Sequence, residues 1–382
     1  MNTFCSYFNQ SICKSCDLLT IDYLDQLQLK ERTLRNALAE VTTVKLLESV
    51  KSELMNFRNK AKLVVTGTIT DPVLGLWGEG NLDEGRELLE CPLHVKAINE
   101  MLPALKGFIT LCKLEPYQIA AKKGELKGVI LFHSETSNET YLRLILRSKE
   151  SIDRIKKNQT FLLDKFPGLK CLSVNIQPIA HAILEGEEEV FITSSTAINH
   201  KLGNLTFSLG PRAFVQTNQG VAGKLYATAA SWVNETHAEK FMELFCGQGA
   251  FSFFAAPYIL EGLGIEINAD AILEAQKTAA KYNLAHLKFE SADAGKIKET
   301  ITLFDPDIIL VNPPRRGLAQ ACELLIENKP ESIIYSSCNY ETLASDLKKL
   351  NPHYEIVRAQ IFDMFPHTNH FETLVELKRK VS

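Results

Sequence analysis

The sequence predicts two folded parts, an α+β domain on a mostly antiparallel sheet followed by an α/β domain with a parallel, doubly wound sheet. Three observations lead there. From about Leu205 onward, short apolar runs alternate with helical stretches, the rhythm of parallel strands joined by crossover helices. From Phe57 to about Gly203 the chain is written instead in short β-branched runs divided by turn residues. The length of 382 residues, 45% of them hydrophobic, is enough for two cores.

Taken in order, the chain opens with a cysteine-rich segment through Cys16. In Asp22 to Leu47 the leucines recur at helical spacing and predict one long helix, placed at 20–49 and expected to pack on the second domain. The first domain takes residues 1–19 and 50–204. Its strands are KLVVTGTI, GVILFHS, YLRLILRS, CLSVNIQP and EVFITSS, with turns at Asp71-Pro72 and Pro167-Gly168. The second domain, 205–382, reads FMELF, a helix after Gly249, LGIEI, a helix from Ala269 to Tyr282, LKFES, DIILV, a helix after Gly317 and SIIYSS. EIVRAQIFDMF and FETLVELKR follow with no helix between them, so an antiparallel hairpin should close the sheet.

The N-terminus lacks a basic stretch leading into an apolar one, and no apolar run approaches membrane-spanning length. Secretion and membrane insertion are therefore not expected, and the location expected is cytoplasmic. Nine cysteines in such a chain would be kept reduced, which favours metal binding or catalysis over disulfides. A net charge of −4 argues against a protein that coats nucleic acid non-specifically, but it allows a local basic face.

Phe241–Phe245 runs into Cys246-Gly247-Gln-Gly249, a strand that breaks at two glycines just before a helix. Backbone can approach a ligand closely there, under the N–H groups of the helix N-terminus. Glu266 closes the next strand, where a nucleotide ribose is usually gripped, and Asp293 follows the third strand, within reach of an adenine edge. The loop lacks the full dinucleotide glycine pattern, which favours S-adenosylmethionine over NAD.

Asn312-Pro-Pro-Arg-Arg-Gly317 and Ser336-Ser-Cys338-Asn339 follow the fourth and fifth strands, at the sheet edge where ligands sit. In so polar a loop Cys338 is a candidate nucleophile, given donors or a positive charge nearby. The segment Asp363-Met-Phe-Pro-His367-Thr-Asn-His370-Phe-Glu372 offers Glu372 as a general base. His367 and His370 are read as polar loop residues, not metal ligands.

Together Phe214-Val-Gln216-Thr-Asn218, Leu244-Phe-Cys-Gly-Gln-Gly, Asn312-Pro-Pro-Arg-Arg-Gly, Tyr335-Ser-Ser-Cys338-Asn and Asp363-Met-Phe-Pro-His-Thr-x-His-x-Glu372 resemble the RNA uracil-C5-methyltransferase family. The resemblance implies a class I, Rossmann-like methyltransferase domain in which Gln216, Phe245, Glu266, Asp293 and Asn312 surround the methyl donor. It also implies that Cys338 is the nucleophile and Glu372 the base, with Phe214 placed to stack on an extruded base. Asn312 departs from relatives that carry an acidic residue there, and Ala250 from those with a polar one.

Cys5, Cys13 and Cys16 are spaced C-x7-C-x2-C, and Cys91 precedes a proline. Spacing alone suits zinc and a [4Fe–4S] cluster equally. The 23S rRNA branch of the family, which the sequence resembles here, carries an iron–sulfur cluster on matching cysteines, whereas the tRNA branch lacks them. A larger 23S branch has an N-terminal RNA-binding barrel that is missing here. What remains is the compact branch that methylates U747 of 23S rRNA, with no stable protein partner implied and a monomer expected. Phe57-Arg58-Asn-Lys60 resembles a family segment near the RNA, so Arg58 and Lys60 are the candidate phosphate contacts. Lys165 and Lys170 read as a solvated face, and Cys112, Cys171 and Cys322 as packing residues. Two other readings compete: an exocyclic-amine methyltransferase, disfavoured by Arg315 where that class has an aromatic, and a non-enzymatic iron–sulfur RNA-binding module.

Overall fold

The computed structural model describes residues 3–41, 45–78, 84–179 and 185–380. The chain contributes to two units, Met1–Cys16 with Leu54–Arg212, and Asp17–Glu53 with Ala213–Ser382. These junctions differ from the expected ones at 19/20, 49/50 and 204/205. Residues 205–209 pair back into the first unit, and residues 46–50 join a strand of the second.

The chain begins with a single turn, α1 (Ser6–Asn9), in the first unit, and continues with α2 (Tyr23–Leu38) in the second. The first unit then adds β1 (Lys60–Gly67), β2 (Pro72–Trp77), β3 (Gly85–Glu87), α3 (Lys96–Leu111), β4 (Leu126–Ser134), β5 (Glu139–Leu146), α4 (Ile152–Asn158), α5 (Thr160–Leu163), β6 (Leu169–Ile176) and β7 (Glu188–Phe191). They form a sheet in the order β3-β2-β1-β4-β5-β6-β7. Every pairing is antiparallel except β5–β6, whose crossover carries α4 and α5. Leu63 and Val65, Val129 and Leu131, and Leu142 and Leu144 alternate along their strands and pack with Ile98, Leu102 and Leu105 of α3 in one core. A hairpin of β8 (Ile198–Leu202) and β9 (Leu205–Leu209) completes the unit.

The second unit continues with α6 (Gln219–Thr236), β10 (Lys240–Leu244), α7 (Ala250–Ala255), β11 (Glu261–Glu266), α8 (Ala269–Lys281), β12 (Leu287–Ser291) and α9 (Lys298–Phe304). It ends with β13 (Ile308–Val311), α10 (Ala321–Asn328), β14 (Ser332–Ser337), α11 (Tyr340–Leu350), β15 (Tyr354–Phe362) and β16 (Glu372–Arg379). The sheet order is β12-β11-β10-β13-β14-β16-β15. β10 to β14 are parallel, and β16 runs antiparallel to both of its neighbours. Strand order reverses between β10 and β13, which opens a crevice beyond Leu244 and Val311.

The single long helix expected over Asp22 to Leu47 is corrected by the structure. Asp22 caps α2 by accepting the Leu24 N–H at 3.0 Å, and Leu34 and Leu38 enter the core of the second unit. The helix stops at Leu38, however, and residues 42–44 lie outside the described residues. Beyond them the backbone is strand-like, with the Leu47 and Val50 N–H groups donating to the Ala359 and Ile361 carbonyls at 2.8 Å. β-branched Val41-Thr-Thr-Val44 is a poor helix former, and β15 offers an open edge to pair with.

Candidate active site

β10 ends in a tight loop in which Phe245, Gly247 and Gly249 all have positive φ, at 61°, 55° and 80°. The two glycines serve different needs. A Cβ on Gly249 would lie 2.5 Å from the Phe289 ring, so close packing excludes any side chain there. A Cβ on Gly247 would meet nothing within 4 Å, leaving room above the loop for a ligand. The Gly247 N–H donates to Glu266 Oε2 at 3.1 Å, and the Asn268 N–H to Glu266 Oε1 at 3.0 Å. Backbone therefore orients the Glu266 carboxylate and leaves lone pairs free to accept from ribose hydroxyls.

The Asn312 N–H donates to the Leu244 carbonyl at 3.3 Å, which places this residue beside the glycine loop. Asp293 accepts from the Gly295 N–H at 3.0 Å and has Lys296 3.7 Å away. Gln216 is buried, and Asn218 caps α6 through the Val221 N–H at 3.2 Å. Phe214 is 75% exposed, as a stacking platform would have to be.

The nucleophile and base candidates meet through strand register. β14 pairs with β16 so that Ser336 faces Leu374 and Ser337 faces Thr373. Continued by one residue, the same antiparallel register sets Cys338 opposite Glu372, on one face of the sheet. Glu372 is buried, and burial pushes its carboxyl up to about 7, while the Ser336 hydroxyl, donating to Oε1 at 2.9 Å, opposes the rise. Burial and then the Glu372 charge push the Cys338 thiol up, and Arg315, by its charge and a hydrogen bond, pulls it down. The Arg315 backbone is itself fixed, its carbonyl accepting from Asn339 Nδ2 at 3.1 Å and Thr342 Oγ1 at 3.2 Å.

Two members of this site were quoted in the sequence motifs without a role. Ser336 was visible only as a neighbour of Cys338, and Arg315 only as a non-aromatic residue after Pro-Pro. A third, Glu243, was missed. It is buried in β10, raised to about 8 by burial, and accepts from the Ser252 N–H at 2.8 Å and the Ser252 hydroxyl at 2.5 Å. Those bonds tie the first turn of α7 to the strand beneath the glycine loop. An acid in an otherwise apolar strand was the available signal.

The first unit holds the remaining candidates. Cys5, Cys13, Cys16 and Cys91 are all free of disulfides. Burial, then Cys91, Cys13 and Cys5 in turn, push the Cys16 thiol up to about 12, and Arg58 opposes them, so the four sulfurs and one guanidinium share a neighbourhood. Among the described residues no three His, Cys, Asp or Glu side chains are arranged to hold a metal ion. Burial lowers the Lys60 pKa and the Glu185 charge opposes it, while the ion pair to Glu185 is made by Lys62 at 2.7 Å.

Comparison with known proteins shows the family. The sequence profile of the tRNA (uracil-5-)-methyltransferase family matches residues 22–380. A 23S rRNA (uracil(747)-C(5))-methyltransferase of Shewanella amazonensis is 41% identical over 99% of this chain and 98% of its own length. One of Proteus mirabilis with the same name is 39% identical over 98% of each chain. Among solved structures, Pyrococcus abyssi tRNA (uracil-54, C5)-methyltransferase in complex with S-adenosyl-L-homocysteine superposes with a TM-score of 0.79 at 25% identity, covering 95% of this chain and 85% of that one. No described helix is long and apolar enough to cross a membrane. The chain belongs to the tRNA (uracil-5-)-methyltransferase family.

Proposed function

We propose that this protein methylates C5 of a uridine in 23S rRNA, U747 by the names of its relatives, with S-adenosylmethionine as the donor. The observation that carries the reading is the register of β14 and β16, which continued by one residue sets Cys338 opposite Glu372, together with the effect of the Glu372 charge on the Cys338 thiol. S-adenosylmethionine, which supplies an electrophilic methyl, would be held by Glu266 and the open side of Gly247, with Gln216, Phe245, Gly249, Asp293 and Asn312 around it.

Uracil C5 is a weak nucleophile. When the Cys338 thiolate adds to C6, electron density moves through C5 to O4, and the resulting enolate can take a methyl at C5. C5 then still carries its hydrogen. Glu372 removes that proton, the electrons re-form the C5–C6 double bond, and the C6–S bond breaks to release the thiolate. Arg315 favours the thiolate that begins and ends the cycle. A carboxyl titrating near neutrality is suited to accept a proton and pass it on. The target base must leave its stack, and exposed Phe214 offers it a ring face.

We propose further that Cys5, Cys13, Cys16 and Cys91 hold a [4Fe–4S] cluster. Their mutual electrostatic effect supports the assignment, as do the Leu93 and His94 backbone N–H groups directed at the Cys91 sulfur. A cluster would take these cysteines as thiolates, which their mutual repulsion disfavours in the absence of metal. Cys16→Ser should lower the iron and acid-labile sulfide content of protein purified without oxygen; full retention of both would remove the assignment.

The reading as a whole is tested by incubating the protein with labelled S-adenosylmethionine and unmodified 23S rRNA fragments, then analysing nucleosides by mass spectrometry. 5-Methyluridine is expected only in the fragment holding U747, and none with Cys338→Ala. A methylated purine that survives the substitution would favour the exocyclic-amine reading instead.

A further inference from the structure

The loop 363–371 joins β15 to β16 and delivers Glu372, the first residue of β16. A second segment of the same unit, residues 17–38, holds this loop from within. Lys30 of α2 donates to Asp363 Oδ1 at 2.6 Å and to the Phe365 carbonyl at 3.1 Å, and the two charged side chains are 1% and 0% exposed. One turn earlier, Gln26 accepts the His367 N–H on Oε1 at 2.8 Å. Its amide nitrogen donates to the Leu18 and Ile21 carbonyls at 3.1 and 2.9 Å and meets His367 Nδ1 at 3.3 Å. Leu18 completes the hold by donating its N–H to the His367 carbonyl at 3.0 Å.

His367 needs these partners, because its φ of 67° is one a side-chain-bearing residue rarely adopts. Oε1 of Gln26 is committed to a backbone N–H, so the group facing Nδ1 is the NH2. The start and the middle of the loop are thus pinned. Asp363 follows Phe362, the cross-strand partner of Glu372, and His367 stands midway to Glu372 itself. Neither Gln26 nor Lys30 belongs to a motif of the catalytic half.

We propose that Gln26 and Lys30 are positioning residues for C5 deprotonation: by fixing loop 363–371 they hold Glu372 at the distance and angle from which it takes the proton. The proposal rests on Glu372 being the base. It places their effect in one step, after methyl transfer, when the methylated base is still bound to Cys338.

That step can be read directly. In a single turnover with labelled S-adenosylmethionine and a 23S rRNA fragment holding U747, the covalent protein–RNA complex is resolved on a denaturing gel from released 5-methyluridine. Glu372→Gln should form the complex and accumulate it. Gln26→Leu, and the charge-free pair Lys30→Met with Asp363→Asn, should form the complex at the wild-type rate but release product roughly 10- to 100-fold more slowly, the scale expected of a displaced catalytic group. KM for RNA should stay unchanged. Thermal melting selects the folded variants, and Gln26→Leu, which removes no charge, decides if the charge-free pair does not fold. Wild-type release in the folded variants, or equal slowing of formation and release, overturns the proposal. Failure of Glu372→Gln to accumulate complex overturns the base assignment instead.

Discussion

Ser336→Ala should move the pH at which Glu372 becomes effective as a base. Burial raises the Glu372 carboxyl from 4.5 to about 7, and the Ser336 hydroxyl, 2.9 Å from Oε1, is the one group opposing that rise. A hydrogen bond to a charged group contributes about 1.5–3 kcal/mol, and one pH unit corresponds to about 1.36 kcal/mol. Its loss should therefore lift the inflection by roughly one to two pH units. The assay is the rate at which methylated protein–RNA complex resolves, followed across pH for wild type and Ser336→Ala. Wild type should rise with pH and inflect near 7, and the variant should inflect higher with the same plateau. Stability gives an independent check. With the folded pKa above the unfolded one, the contribution of this group is full below about 4.5 and is lost as pH rises through about 7. That loss amounts to roughly 3 kcal/mol for a shift of this size. Glu372→Gln should accordingly be inactive yet more stable than wild type above pH 7, and equally stable near pH 4. An inflection that stays in place or falls in Ser336→Ala would refute the reasoning.

Arg315→Gln should shift the alkylation of Cys338 by iodoacetamide to higher pH, since the cation that favours the thiolate is gone; an unchanged profile would show that Arg315 does not act on the sulfur. Gly249→Ala combines a left-handed φ with a clash against Phe289 and should cost about 2–4 kcal/mol by denaturant unfolding, whereas Gly247→Ala, facing open space, should cost only about 1 kcal/mol but weaken S-adenosylmethionine binding by calorimetry. Equal destabilisation by the two would contradict the division of roles. Lys30→Met leaves Asp363 buried and unpaired and should lose about 3–5 kcal/mol, most of it recovered when Asp363→Asn is added. If the double substitution is no more stable than the single one, the ion pair is not what stabilises this loop.

Much of the second unit is legible in the sequence because its strands are short apolar runs separated by helices, each recognisable without reference to the rest. Cys338, Glu372 and Glu266 could be picked out for a similar reason, since each stands at a strand end inside a compact motif. What escaped depends on distant partners. The end of α2 at Leu38 is set by an edge of β15 some 300 residues later in the chain, and local periodicity carries no trace of that edge. Lys30 and Gln26 look like the solvated side of an amphipathic helix, yet both are 1% exposed. The effect of Arg58 on the Cys16 thiol, which is separate from the phosphate contact expected from the resemblance of its segment, is brought about only by the fold. β2 and β3 were not recognised because PVLGLW opens on a proline and contains a glycine, both depleted in strands.

The placement of the proposed base follows from the one reversal in the sheet. In a parallel sheet, chemistry gathers at the C-terminal ends of the strands, and Glu266, Asn312 and Cys338 obey that rule. A strand that runs the other way presents its N-terminus at the same edge, so only its first residues can join the site. β16 lies beside β14 and antiparallel to it, and their register, continued by one residue, sets Glu372 opposite Cys338. The same reversal requires β15 to return through a loop at the reacting edge, and the nine residues 363–371 become part of the machinery. An antiparallel register slip by one residue would turn Glu372 to the other face of the sheet. Holding that register in a loop with a left-handed histidine takes external partners, and α2 supplies them with a buried lysine and a buried glutamine. A cysteine on a parallel strand and a carboxylate on an antiparallel one therefore call for a third element at the sheet edge, which is why we place a helix far upstream in sequence in the proposed catalytic unit.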